Sequence, residues 1–142
     1  IDDAAVLILF GVGELLEKIK SEANCLGISD RIIFYGASSE MEKMYMAMDV
    51  FVMPSLHEGL PVTGIEAQAS GLPCVFADTI TREVDITSTS KFLSLNMDVD
   101  IWAKNIMECK GKKRVDSLKL LKQEGYDIED TAHMVENFYL KI

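Results

Sequence analysis

Little in this chain of 142 residues is basic, and little invites oxidation or membrane insertion. Lys and Arg total 14 against 23 Asp and Glu, a formal net charge of −9. That field opposes nucleic acid, whose phosphates select basic surfaces, so none is expected as a partner. Cysteines number three, Cys25, Cys74 and Cys109, an odd count with no metal-like spacing. They read as free thiols of a reducing compartment, and Cys74, set in an apolar run, as a small core residue. No signal peptide and no apolar run long enough to span a bilayer is present, which makes the expected location cytoplasmic. Repeats and low-complexity tracts are absent as well. The chain opens at Ile1 without methionine, as if cut from something longer. What remains is 49% apolar and 26% charged, an ordinary soluble mixture with one domain's worth of core.

All three prolines fall in one stretch, which organises the rest: Pro54, Pro61 and Pro73. Val50 to Met53 reads as a short buried strand stopped by Pro54. A polar loop with Gly59 follows, and Pro61 sits where a first helical residue is favoured. Val62 to Ala69 continues as helix, Gly71 suits the position just past its end, and Pro73 blocks continuation. Cys74 to Ala77 is again an apolar strand. This is a β-loop-α-β unit, the form in which a parallel sheet holds ligands at its carboxyl edge.

Two carboxylates frame that loop, Glu58 within it and Glu66 about one turn into the helix. Between them the unpaired N–H groups of Leu60, Val62 and Thr63, with the helix dipole behind, make a ready phosphate site. Carboxylates repel phosphate, but they accept strongly from vicinal hydroxyl pairs. A sugar–phosphate–sugar ligand fits both demands, and a nucleotide sugar is such a ligand. The competing reading makes Glu58 a solvated loop acid and Glu66 a helix-surface acid.

The flanking chain alternates in the same way. Ala4 to Phe10 is an apolar strand and Gly11-Val12-Gly13 a tight turn into a helix over Glu14 to Ala23. The third glycine of a dinucleotide fingerprint is missing, since Leu16 stands there, so no NAD site is expected. Arg31 to Tyr35 is the next strand, with Gly36-Ala37-Ser38 at its carboxyl end. Ser39 and Glu42 form a capping box opening a helix over Glu40 to Met48, whose methionines read as adaptable core packing. Phe92 to Leu95 is a last short strand, and helices follow at Ile101 to Met107, at Val115 to Gln123, and from the Asp127–Thr131 region to Leu140. His57, beside Glu58, is placed to touch ligand, and His133 reads as a plain helix residue. The alternation gives about five strands and six helices in a doubly wound parallel sheet.

The run Pro54-Ser55-Leu56-His57-Glu58-Gly59-Leu60-Pro61, then Glu66-Ala67 and Ala69-Ser70-Gly71-Leu72-Pro73-Cys74-Val75, closely resembles the C-terminal signature of the group 1 (family 4) glycosyltransferases. The hallmark of that family is two glutamates separated by seven residues. The resemblance runs from Leu7 to the final helix and is most specific between Asp49 and Val75. It implies an α/β fold, the Rossmann-like C-terminal half of a GT-B glycosyltransferase. It also implies that residues 1–142 form a single donor-binding domain. The first strand-helix segment, which carries an Arg and a Lys for the diphosphate, and the N-terminal acceptor domain would lie outside this chain.

Carried over position by position, the resemblance puts Glu58 against hydroxyls of the transferred hexose, as the catalytic-site carboxylate. The backbone of Gly59, Leu60 and Pro61 would lie along that sugar. Val62 and Thr63 N–H groups would hold the diphosphate, Glu66 would accept from the ribose hydroxyls, and Gly36 and Ala37 would border the base. The reaction implied is metal-independent, retaining transfer from a nucleotide sugar to a glycan or lipid-linked acceptor, as in polysaccharide biosynthesis. Fixed N–H groups and cations would stabilise charge on the departing diphosphate. No cofactor is expected, and the isolated chain is expected to bind donor weakly or not at all and to transfer nothing.

Asp98-Val99-Asp100 after an apolar strand resembles the metal-binding pair of the GT-A fold, but Asp at a helix start is routine, and the cap is the reading adopted. Asp78 to Val84 resembles the family's short turn ending in Glu-Val, without its usual glycines. Gly111-Lys112-Lys113-Arg114 reads as a solvated basic run, with contact to an anionic membrane face left open. A terminal helix of this kind packs across the two-domain junction in the resembled family. The alternatives are a nucleotide-sugar epimerase-like protein and a binding module without catalysis. A receiver-type signalling module would need its acidic pair after the first strand, whereas Asp2 and Asp3 precede it.

Overall fold

A computed structural model of the protein describes residues Ala4–Lys141, so Asp2 and Asp3 lie outside the described residues. The chain divides into two compact units, Ile1–Met41 and Glu42–Ile142.

In the first unit, strands β1 (Leu7–Phe10) and β2 (Ile32–Gly36) pair in parallel, with helix α1 (Leu16–Cys25) as the crossover that parallel pairing requires. A register shift falls between Leu9 and Phe10, and Gly11 N–H then donates to Gly36 O at 2.8 Å. Gly11-Val12-Gly13 is the expected tight turn, closed by Leu16 N–H on Gly13 O at 3.2 Å. Ser38 Oγ, rather than the expected Ser39, accepts the Glu40 N–H at 3.1 Å ahead of the next helix.

That helix, α2, spans only Met41–Met46. Its buried residue is Tyr45, 1% exposed, while Met46 is 72% exposed. The expectation of a methionine-packed core therefore fails at Met46, while Met41, Met44 and Met48 are half-buried.

The second unit holds strands β3 (Phe51–Met53), β4 (Cys74–Ala77) and β5 (Lys91–Leu93), all parallel, in the order β3-β4-β5. The central strand β4 is buried along its whole length, as its unbroken apolar run requires. Successive side chains point to opposite faces, and each face is covered. Val75 packs with Leu93 and Cys109 under Trp102 and Ile106 of helix α4 (Val99–Met107). Phe76 faces helix α3 (Val62–Ala69) and joins a row of rings running Tyr45, Phe51, Phe76, Phe92, with centroids 5.4–6.2 Å apart.

Capping chemistry sets the helix ends. At the end of α3, Leu72 N–H reaches Ala67 O and Gly71 N–H reaches Gln68 O, at 3.1 and 2.9 Å. This Schellman closure needs the left-handed φ of +74° at Gly71. Asp98 Oδ1 accepts Asp100 N–H at 2.9 Å and caps α4, as read from the sequence. Helix α5 (Leu118–Gln123) ends at Gly125, and helix α6 (Ile128–Leu140) starts on the Asp127 carboxylate. Among the described residues no helix is long and apolar enough to cross a membrane.

Candidate functional site

The loop 54–61 leaves β3 at its carboxyl end. It is tied to the chain leaving β4 by Thr79 Oγ1, which donates to Ser55 O at 2.7 Å. Because β3, β4 and β5 are parallel, both loops lie at the same, carboxyl edge of the sheet. Glu58 is half-buried in this loop, and Gly59 and Leu60 are exposed.

Pro61 is the residue just before α3, with extended backbone (φ −75°, ψ 103°), rather than its first helical residue. Its carbonyl accepts the N–H groups of Gly64 and Ile65 at 3.0 and 3.4 Å. Those of Val62 and Thr63 are left without an intrahelical partner, as at any helix start. No side chain caps this end and no acidic residue occupies the first turn. The positive end of the dipole is therefore not neutralised from within the helix's own first turn, where Val62 and Thr63 are exposed. Glu66 stands one turn further on and is exposed.

Three residues on or beside this helix make contacts that sequence spacing did not anticipate. Tyr45 Oη donates to Glu66 Oε2 at 3.1 Å. Burial, then this hydrogen bond, then the Glu66 charge raise the Tyr45 phenol well above its ordinary range, so it stays a donor. Gln68 is fully buried on the inner face of α3. Its Nε2 donates to Gly64 O and Val84 O at 3.0 and 2.6 Å, and its Oε1 accepts Thr87 N–H and Thr87 Oγ1. A polar residue in the buried stripe Gly64, Ile65, Ala67, Gln68 was the available signal. Arg114 is exposed, in keeping with the solvated basic run, yet its Nη2 donates to Tyr45 O, Met46 O and Met48 O at 3.0, 2.9 and 2.7 Å, and its Nη1 to Ser70 O at 2.7 Å. One guanidinium thus gathers the carbonyl ends of α2 and α3, where a cation is favoured. These partners lie 44 to 69 residues away, so nothing local announced them.

The structure thus brings Glu58, Gly59, Leu60, Pro61, Val62, Thr63 and Glu66 onto one loop and one helix of the second unit. Gly36 and Ala37 belong to the first unit. There Gly36 (φ +82°) closes β2 and lines an open groove of about 410 Å³ with Gly11, Val12 and Gly13. His57 is exposed beside Glu58, and His133 lies 3.6 Å from Glu136 on α6. Cys74 and Cys109 are buried free thiols and Cys25 an exposed one. Burial, then the Asp85 charge, push the Cys74 thiol far up, which leaves it an inert core group.

The profile of the family described as glycosyl transferases, group 1, matches residues 1–110, and the chain belongs to that family. A putative glycosyltransferase of Bacillus subtilis strain 168, EpsF, is 38% identical over 137 residues, covering 94% of this chain and 36% of its own length. A UDP-Gal:alpha-D-GlcNAc-diphosphoundecaprenol alpha-1,3-galactosyltransferase of Escherichia coli is 35% identical over 75 residues, 52% of this chain and 19% of that protein. Among solved structures, Anabaena HepE in complex with UDP superposes with a TM-score of 0.76 at 14% identity, over 99% of this chain and 42% of that one. The fold is accordingly the Rossmann-like α/β arrangement of the GT-B glycosyltransferases. The chain spans little more than a third of the longest-matched relative.

Proposed function

We propose that this chain is the donor-binding part of a retaining, metal-independent glycosyltransferase. It would serve the transfer of a sugar from a nucleotide sugar to a glycan or lipid-linked acceptor in polysaccharide biosynthesis. The observation that carries this is the uncapped start of α3, flanked by Glu58 before it and Glu66 along it, at the sheet's carboxyl edge. Val62 and Thr63 N–H groups receive the diphosphate and stabilise its charge on departure. Glu58 accepts hydroxyls of the transferred sugar, with the Gly59-Leu60-Pro61 backbone along it, and Glu66 accepts those of the ribose. Gly36 and Ala37 border the base, on the family resemblance alone. The UDP held by HepE and the UDP-Gal named for the E. coli enzyme support a nucleotide-linked donor. The reading makes no use of a metal or cofactor.

The test uses the native polypeptide that carries this chain, with UDP-, GDP- and ADP-sugars and with EDTA present. Transfer should persist in EDTA with the donor's anomeric configuration kept in the product. Glu58→Gln and Glu66→Gln should each lower kcat/KM for the donor by about tenfold to a hundredfold, the worth of a hydrogen bond to a charged acceptor. Transfer that needs a divalent metal, inverts the anomer, or ignores both substitutions refutes the reading.

A further inference from the structure

The Glu66 carboxylate is exposed, yet one of its oxygens is already engaged. An exposed glutamate on a helix samples several rotamers, and each hydroxyl it accepts must first freeze them. Here Oε2 is held by a phenol that does not itself move. Tyr45 is 1% exposed, and its ring packs edge-on against Phe51 at 6.1 Å. Its backbone is held too, because Arg114 donates to the carbonyls of Tyr45, Met46 and Met48. The same guanidinium holds Ser70 O, the residue just past the helix that carries Glu66. The helix bearing the phenol and the helix bearing the carboxylate are therefore locked to each other at one point and hydrogen-bonded at a second.

We propose that Tyr45 is a positioning residue for Glu66: its buried phenol fixes one carboxylate oxygen so that the other is presented, pre-oriented, to the ribose hydroxyls of the bound nucleotide. This rests on the reading of Glu66 as the ribose acceptor. The phenol remains protonated across the physiological range, so the arrangement is a constant of the site rather than a pH switch. Tyr45 touches no reacting atom, and its contribution is to ground-state and transition-state binding alike.

The experiment measures equilibrium binding of UDP, GDP and ADP, and of their 2′,3′-dideoxy counterparts, to the native polypeptide and to Tyr45→Phe, Glu66→Gln and the double variant. Tyr45→Phe removes one oxygen and keeps the buried ring, and an unchanged circular dichroism spectrum verifies the fold. For whichever diphosphate binds, Tyr45→Phe should weaken the ribo form roughly three- to tenfold and leave the dideoxy form unchanged. Glu66→Gln should do the same or more, and the double variant should bind no more weakly than Glu66→Gln. In turnover, donor KM should rise for Tyr45→Phe while kcat holds. If Glu66→Gln weakens the ribo form but Tyr45→Phe binds as wild type, the positioning role is overturned and the ribose reading stands. Equal weakening of ribo and dideoxy forms by Tyr45→Phe also overturns it, since the phenol would then act through packing. If Glu66→Gln binds both forms as wild type does, the ribose reading falls and this inference falls with it.

Discussion

Replacing Gln68 with leucine would test what holds helix α3 to the turn behind β4. The side chain is fully buried and its amide makes four hydrogen bonds. Leucine fills nearly the same volume and makes none. Three of the abandoned groups keep another partner. Val84 O still accepts Ile86 N–H at 3.1 Å, and Thr87 Oγ1 still pairs with Thr89 Oγ1 at 2.8 Å. Gly64 O stays within the α3 ladder, accepting from the backbone N–H four residues on. Only the Thr87 N–H is orphaned, in a residue 9% exposed. A buried donor left unmade costs about 1–3 kcal/mol, and the weakened remainder adds about 0.5–1 kcal/mol for each bond lost. Leucine's greater apolarity offsets about 1 kcal/mol. The net loss is then about 1.5–5 kcal/mol, a fall of roughly 8–25 °C in melting temperature for a unit of this size. Thermal unfolding of Gln68→Leu gives the magnitude, and hydrogen exchange gives the location: the Thr87 amide should lose protection before its neighbours. A variant that melts within about 3 °C of wild type, or keeps Thr87 protected, would show that the amide network does not hold this helix.

Two further predictions rest on packing and charge. An ideal Cβ on Gly64 would lie 2.9 Å from both Phe76 Cε1 and Val84 Cγ2, side chains with 0% exposure. Gly64→Ala should therefore destabilise by a net of about 1–2 kcal/mol, overpacking outweighing the helix-propensity gain, and an unchanged or raised melting temperature would refute it. A hydrogen bond from Lys91, and then the Lys91 charge, hold the Glu108 carboxyl below its ordinary value of 4.5. A depressed pKa gives stability that is present above that value and lost as pH falls through the folded-state pKa. Glu108→Gln should thus be less stable than wild type near neutrality and match it in acid, as denaturant midpoints across pH 2 to 7 would show. A gap that persists into acid would sink the pairing.

The parts legible in the sequence were those with local punctuation. Helix α3 came out at Val62–Ala69 because Pro61 and Gly71 mark its ends through backbone geometry that needs no distant partner. Strand β4 came out at Cys74–Ala77 because an apolar run after Pro73 has no other stable home. The Asp98 cap was legible for the same local reason. Helix α2 was overextended by two residues at its end, since methionine is a strong helix former and says nothing of where a helix stops. What the sequence hid was long-range: Tyr45 meets a carboxylate 21 residues on, and Arg114 meets carbonyls 44 or more residues back. Such pairings are set by the tertiary arrangement, and no spacing rule encodes them. The glutamate pair was visible because its seven-residue interval and flanking Gly-Leu-Pro segments are a pattern, but what anchors it was not.

Arginine at position 114 also decides which parts of the chain's last third can change length. Its flat fork of donors is spread over carbonyls from two helices, a reach that the compact ammonium of lysine does not match. Just upstream, Cys109 is packed beneath the sheet, and Gly111, Lys112 and Lys113 arch through solvent between the two anchors. Insertions and deletions among relatives should collect in that arch, and a peptide tag or fluorophore spliced there should leave helix α3 undisturbed.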